Sequence, residues 1–282
     1  MSNNQIPTFD RIAPGWYNFR HHTIFRAELE ALARRWTRGK LLNIGCGHGA
    51  DFLPFKDNFE LTGIDISSEM LKYAEKFMDK HGFSALLKQA DMRSLPFADM
   101  SFDFTIVVAS LHHLEDRTSR EKALKEIFRI LKPGGEAFIT VWNAWQPRFI
   151  FRKRDTLIPW RSKEGNINRF YHLYSYDELE GALRLAGFEI LDSFPESTYR
   201  FPLKYFSKNI CLLVKKPMKD LFSKHQTDNI DSKICDRSER LVKERYLCWS
   251  ILHARSAILA VGFPSQMPII LVLTNAGNAA LC

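Results

Sequence analysis

Three glycines at alternate positions, Gly45, Gly47 and Gly49, follow directly on the largely apolar run Leu41-Leu42-Asn43-Ile44. A run of that kind is what a strand buried in a parallel sheet presents. Glycines at its end let the chain turn sharply and leave bare backbone for a ligand, toward which the N–H groups of a following helix would point. About twenty residues on, the apolar stretch Phe59 to Ile64 ends in Asp65, where a carboxylate can accept from both hydroxyls of a ribose. The pair describes a nucleoside held at the C-terminal edge of a parallel sheet. Two alternatives stay open on these residues alone, an ordinary strand-to-helix turn and a dinucleotide site. The spacing Gly-x-Gly-x-Gly differs from the dinucleotide fingerprint Gly-x-Gly-x-x-Gly and tilts away from the second.

The rest of the chain alternates in the same sense. Thr23 to Trp36 carries apolar residues at helical spacing, and Ser67 is placed to cap a helix running to about Lys80. Ala85 to Ala90 reads as a third strand ending at Asp91, an acid that can accept from an adenine amino group or cap the next turn. Phe102 to Ala109 is the most apolar strand and opens into Ser110-Leu111-His112-His113-Leu114. Arg120 to Leu131 is amphipathic and stops at Lys132-Pro133-Gly134-Gly135, after which Glu136 to Trp142 is another strand. Asp177 to Leu185 reads as the last helix, with 188–191 and 209–214 as a final antiparallel pair. Strand and helix in alternation predict an α/β fold with a doubly wound, mostly parallel sheet. Residues 1–216 form this domain, and 217–282 a linker and tail in which Arg240 to Ala260 could be an amphipathic helix. Ahead of the first strand, Phe9-Asp10-Arg11-Ile12-Ala13-Pro14-Gly15-Trp16-Tyr17 combines aromatics with a Pro-Gly break, as suits a segment packed over a site or a plain surface segment.

Residues 143–175 interrupt the alternation. Arg148, Arg152, Lys153, Arg154, Arg161, Lys163 and Arg169 are interleaved with Trp142, Trp145, Phe149, Phe151, Trp160, Phe170, Tyr171 and Tyr174. Arginine forks pair phosphates and aromatic faces stack on unpaired bases, so the density of both favours nucleic acid over an insertion whose aromatics tuck into the domain. The formal net charge of +8 leans the same way. The five cysteines are scattered without a Cys-x-x-Cys pair, so neither a zinc site nor a disulfide framework is indicated. The polar start Met1-Ser2-Asn3-Asn4-Gln5 lacks an apolar signal core, which leads to the expectation of a cytoplasmic protein. The apolar run 267–273 falls far short of the roughly twenty residues that a membrane span needs.

The glycine turn, Asp91 after strand three, Ser101-Phe102-Asp103 opening strand four and Leu131-Lys132-Pro133-Gly134-Gly135 resemble the class I S-adenosylmethionine (SAM) methyltransferases. The resemblance implies a Rossmann-like sheet of seven strands and SAM as cofactor. It implies a binding set of Arg20, Gly45, Cys46, Gly47, Gly49, Asp65, Ile66, Met70, Asp91, Met92 and Ala109, with no metal. Asn43 stands where that class often has an acid. Three stretches are similar to one family within it, the tRNA wobble-uridine methyltransferases that esterify 5-carboxymethyluridine. They are Phe9-Asp10-Arg11-Ile12-Ala13-Pro14 with Asn18-Phe19-Arg20; Ser110 to Leu114; and Asp155-Thr156-Leu157-Ile158-Pro159-Trp160 with Arg169-Phe170-Tyr171-His172-Leu173-Tyr174. That resemblance implies the tRNA anticodon loop as substrate and a small zinc-binding activator subunit paired beside the sheet. The segment between the last two motifs is short, and Lys208-Asn209-Ile210 lacks the tryptophan the family tends to carry there. A carboxylate nucleophile is already ionised at neutral pH and calls for clamps more than bases. Arg169 is then expected to hold the carboxylate or an adjacent phosphate, and His113 to donate a hydrogen bond to the nucleotide, while His112 faces away. The rival readings are a small-molecule methyltransferase of the same fold and a non-catalytic SAM-binding scaffold.

Overall fold

The computed structural model describes residues 5–20, 22–162 and 165–218. The expected linker and tail beyond residue 218, including the 240–260 helix, lie outside the described residues. Among the described residues five α-helices, α1 (Gln5–Phe19), α2 (Arg26–Trp36), α3 (Ser68–His81), α4 (Arg117–Ile130) and α5 (Tyr176–Leu185), accompany nine strands. The strands are β1 (Gly39–Ile44), β2 (Phe59–Asp65), β3 (Leu86–Gln89), β4 (Phe102–Val108), β5 (Leu131–Trp142), β6 (Asp155–Ser162), β7 (Gly165–His172), β8 (Glu189–Pro195) and β9 (Asn209–Lys215).

Seven strands form one sheet in the order β3-β2-β1-β4-β5-β9-β8. Every neighbouring pair is parallel until β9, which runs antiparallel to both β5 and β8. The order reverses between β1 and β4, so a crevice opens beyond their C-terminal ends, where doubly wound sheets bind ligands. Both faces are covered. On one, Leu42, Ile44, Val107 and Ile139 pack beneath Leu124 and Ile127 of α4 and Leu179 and Leu183 of α5. On the other, Leu41, Ile106 and Phe138 meet Leu29, Leu32 and Trp36 of α2.

Helix starts follow the side-chain chemistry. Ser67, Asp116 and Ser175 each accept from a backbone N–H in the first turn of α3, α4 and α5. The ammonium of Lys216, itself buried, donates to the carbonyls of Phe128 and Leu131 and so closes the C-terminal end of α4.

Three expectations need correction. The glycine turn leads into a 3-10 segment, Ala50–Phe55, because Pro54 supplies no N–H to propagate a regular helix. The Pro-Gly pair breaks nothing: α1 runs through Pro14. It loses one i→i−4 bond, while Ile12 and Ala13 are buried with Met70 and Ile167. Residues 143–175 contain a β-hairpin, β6 with β7, forming its own two-stranded sheet. Its signal was the period-two alternation of Ile158 and Trp160 with Ile167, Arg169 and Tyr171 around Gly165. Only some aromatics of the segment are open to a ligand: Phe149, Tyr171 and Tyr174 are buried, Trp142, Trp160 and Phe170 half-buried, and Trp145 and Phe151 exposed. Among the described residues no helix is long and apolar enough to cross a membrane.

Gly135 marks where the sheet is least forgiving. A Cβ there would lie 2.8 Å from the carbonyl oxygen of Asp103 and 2.9 Å from that of Lys132, both backbone atoms. Gly135→Ala is expected to destabilise the domain by about 1–3 kcal/mol, read as a lower urea midpoint at unchanged slope.

Candidate active site

The glycine turn is strapped to the neighbouring strand. The N–H groups of Gly45 and Cys46 both donate to the carbonyl of Ile64, at 2.8 and 2.9 Å. That of Gly47 donates to Oδ2 of Asp65 at 2.9 Å, and Ser67 N–H donates to Oδ1 at 2.9 Å. Gly45, Gly47 and Gly49 all have positive φ, at 70°, 53° and 85°, a region that glycine enters without steric cost. At the end of β4, Ala109 also has positive φ, 52°. Backbone strain in a non-glycine residue is kept only where the surroundings impose it, often beside a ligand. Here the Ala109 N–H donates to the carbonyl and Oγ1 of Thr140. Ser110 ties β4 to the turn, its hydroxyl donating to the carbonyls of Gly45 and Val108.

A cavity opens over these strand ends, at the switch point where doubly wound sheets bind ligands. Asp65, Ile66, Met70, Asp91, Met92 and Ala109 line it beside Gly45, Cys46 and Gly47, and Arg20, His113 and Arg169 face it from elsewhere. Of the expected set only Gly49 stands outside the lining; its left-handed backbone starts the 3-10 segment. His112 is also outside, stacked on Tyr171 and accepting from the Trp142 N–H.

The roof comes from α1 and the hairpin. Asp10 accepts from the Ser67 hydroxyl at 2.6 Å and the Glu69 N–H at 3.4 Å, docking α1 on the start of α3. Trp16 of α1 packs on Trp160 of β6 with ring centroids 5.5 Å apart. Phe9, Ile12 and Trp16 line the cavity, so the N-terminal segment does pack over the site.

Charge is divided across the cavity. On one side, burial pushes the Asp65 carboxyl up to about 6, against the pull of the Ser67 and Gly47 N–H groups. Asp91 is clamped by Arg93, whose guanidinium reaches both oxygens, at 3.1 and 2.6 Å. That clamp and the Arg93 N–H bond make turn-capping part of its role, and a carboxylate has further lone pairs for a ligand. Asp51, unforeseen in the sequence, is a half-buried acid in the wall, pushed up by desolvation and opposed by a hydrogen bond from Thr23. On the other side, Arg169 of β7 is 6% exposed, and its Nε has no hydrogen-bond partner among the described residues. Its guanidinium carbon lies 5.3, 5.2 and 6.0 Å from the ring centroids of Trp160, Tyr171 and Trp16. Arg20 lies over the same Trp16 ring at 4.7 Å.

His113 corrects its expected role. Its Nδ1 lies 2.9 Å from the carbonyl of Phe170, which can only accept, so Nδ1 carries the proton. Burial depresses the ring to about 3, outweighing the Phe170 bond that raises it. The ring is therefore neutral near pH 7, and Nε2 offers a lone pair, not a donor. No sequence signal links His113 to Phe170; the fold brings them together.

The donor and acceptor set fits SAM: a carboxylate at the end of β2, glycine backbone in the left-handed region beneath the cavity, and the Arg20 guanidinium facing it from the roof. Strand order, switch-point cavity and glycine turn together define a class I SAM-dependent methyltransferase. A methyltransferase-domain family model matches residues 42–139. A putative methyltransferase of Encephalitozoon cuniculi is 36% identical over 163 residues, which are 54% of this chain and 71% of that protein. The tRNA (carboxymethyluridine(34)-5-O)-methyltransferase of Arabidopsis thaliana is 39% identical over 106 residues, 38% of this chain and 24% of that protein. A Haloferax volcanii structure, a complex between the Trm112 methyltransferase activator and a putative methyltransferase, has the same fold. Its TM-score is 0.51 at 20% identity, covering 74% of this chain and 97% of that one. The chain belongs to the SAM-dependent methyltransferases.

The elevated Asp65 carboxyl sets a pH dependence. The folded state holds this proton more tightly than the unfolded chain, whose carboxyl titrates near 4. The group therefore lowers stability as pH rises from about 4 to about 6. Ribose hydroxyls donate to the ionised form, so SAM affinity should fall as pH is lowered through about 6. Asp65→Asn should bind SAM about ten- to a hundredfold more weakly and lose that pH dependence, as calorimetry across pH 5–8 reads.

Proposed function

We propose that the protein methylates the carboxylate of a 5-carboxymethyl group on the wobble uridine of tRNA, forming the methyl ester. The observation that carries this reading is Arg169, a buried guanidinium boxed by three aromatic rings with no carboxylate partner among the described residues. A buried cation is costly unless an anion reaches it. A substrate carboxylate is the anion that the family resemblance supplies.

SAM, when bound, would supply an electrophilic methyl group on sulfonium to the carboxylate oxygen, with the thioether as leaving group taking the carbon–sulfur electron pair. Asp65 and the glycine turn hold the adenosine portion. Arg169 orients the carboxylate through its planar fork, converting a bimolecular encounter into a fixed approach. α1 and the hairpin exclude water. No proton has to be removed, because a carboxylic acid with a pKa near 4 is ionised at neutral pH. His113, neutral and tied to Phe170, positions the substrate by accepting a hydrogen bond or by contact.

The same buried seat would also take a small carboxylate-bearing acceptor, and burial of Phe149, Tyr171 and Tyr174 removes part of the aromatic argument for RNA. Arg148, Arg152 and Lys153 nevertheless remain exposed around the fully exposed Phe151, a surface suited to phosphates and a base. Methyl transfer to bulk tRNA, followed by nucleoside mass spectrometry, separates the two readings.

The open edge of the sheet supports a partner subunit. Among the described residues β3 pairs only with β2, and Leu86 is 65% exposed, an edge suited to strand addition. The Haloferax complex has an activator on a protein of this fold. Full activity of the purified chain alone, unchanged by adding a zinc-binding activator, would remove this part of the proposal.

Arg169→Ala should slow single-turnover methyl transfer roughly 10- to 100-fold, with Arg169→Lys recovering only part, since an ammonium lacks the fork. At saturating SAM the pH–rate profile should be flat from about pH 6 upward, and His113→Gln should not reshape it. An ascending limb near the ordinary histidine value that disappears in His113→Gln would make the histidine a base and the carboxylate reading wrong.

A further inference from the structure

The loop between β8 and β9 carries charge and aromatic surface that the reaction does not use. Residues 143–154 and 197–208 together contain seven basic residues and no acidic one. In the second segment Arg200 and Lys208 are exposed, with Phe201 57%, Leu203 52% and Tyr205 51% exposed between them.

Topology places the two segments side by side on the active-site edge. β5 leaves the sheet at Trp142, which pairs with Asn209, the first residue of β9; Pro195, at the end of β8, pairs with Ile210. The loop therefore rises from the same edge as the glycine turn. It is held there by buried polar groups. Asn143 donates through Nδ2 to the carbonyls of Tyr205 and Ser207, at 2.7 and 2.9 Å, and through its N–H to that of Lys208 at 3.0 Å. Gln146 donates to the Lys208 carbonyl at 3.1 Å. Glu196 closes the base of the loop by accepting from the Lys208 and Asn209 N–H groups.

We infer that 197–208, continuous with 143–154, seats unpaired RNA nucleotides flanking the methylated one. This rests on the tRNA reading above. A rigid ledge with exposed rings between cations and no carboxylate matches single-stranded nucleic acid, whose bases stack while phosphates meet the cations. From β4 to β8 the sheet edge crosses three further strands, about 14 Å at 4.8 Å per strand. The strand would leave the target pocket and run outward over this span.

Fluorescence anisotropy of labelled bulk tRNA across a salt series tests it. Phe201→Ala should weaken binding roughly 5- to 100-fold by loss of one stacked base. Arg200→Ala with Lys208→Ala should flatten the salt slope by about 1.4, or about 0.7 for each lost phosphate contact on a single strand. Arg200→Lys with Lys208→Arg should bind like the wild type. Melting temperature and SAM affinity should stay unchanged in all of them. Unchanged tRNA affinity and slope in the alanine variants, with the wild type binding normally, overturns the ledge and leaves the proposed function standing. No tRNA binding by the wild type overturns both. Displacement of tRNA by polyglutamate as readily as by polyuridylate overturns the ledge in favour of an acidic protein partner.

Discussion

The hydrogen bond from Gly47 N–H to the Asp65 carboxylate holds the whole site in register. It joins the turn after β1 to the end of β2 across the switch point, with the two N–H bonds to the Ile64 carbonyl beside it. The turn requires three residues in the left-handed region, and the carboxylate requires N–H groups because it is buried. Each demand answers the other. From this joint the remaining parts take their places: Ser110 binds β4 to the Gly45 carbonyl, and Asp10 fastens the roof helix one turn beyond Asp65, on the start of α3.

The cavity that results is polarised. Asp65, Asp91 and Asp51 lie in its wall toward β1, β2 and the 3-10 segment, and Arg20 and Arg169 look in from the roof elements. Burial presses four of these groups toward neutrality, raising Asp51 and Asp65 and lowering Arg20 and Arg169. Such groups are held at a cost that a zwitterionic cofactor and an anionic acceptor can relieve. The same burial acts on His113 and holds it neutral, so a residue expected to donate a hydrogen bond is left as an acceptor. One physical cause, desolvation, both builds the anion seat and sets the histidine's polarity.

Much of this was legible in the residues before any coordinates. Apolar runs of strand length, the cap at Ser67 and the glycine spacing fixed by backbone sterics are local signals, and the sheet, the glycine turn and the place of Asp65 follow from them, while the other expected lining residues came from the family resemblance. What escaped depends on distant partners. Whether Tyr171 and Phe149 stack on a base or on the protein is decided by packing against Trp142, 29 residues before Tyr171. The tautomer of His113 is set by a carbonyl at position 170. Asp51 looked like any acid after a turn, and only the fold half-buries it. The hairpin did leave a period-two trace, masked by reading its arginines and aromatics as a composition and not as an alternation.

That alternation governs where the hairpin can change length. In the hairpin, Ile158 lies opposite Arg169 and Trp160 opposite Ile167, all on the inner face, while Leu157, Pro159 and Asn168 look outward. Residues added at the turn between β6 and β7 leave both strands in phase. A single residue inserted within β7 inverts it, carrying Arg169 to solvent and an asparagine to the cavity. A one-residue insertion or deletion beside Arg169 would therefore cost the cavity its guanidinium even where the domain still folds.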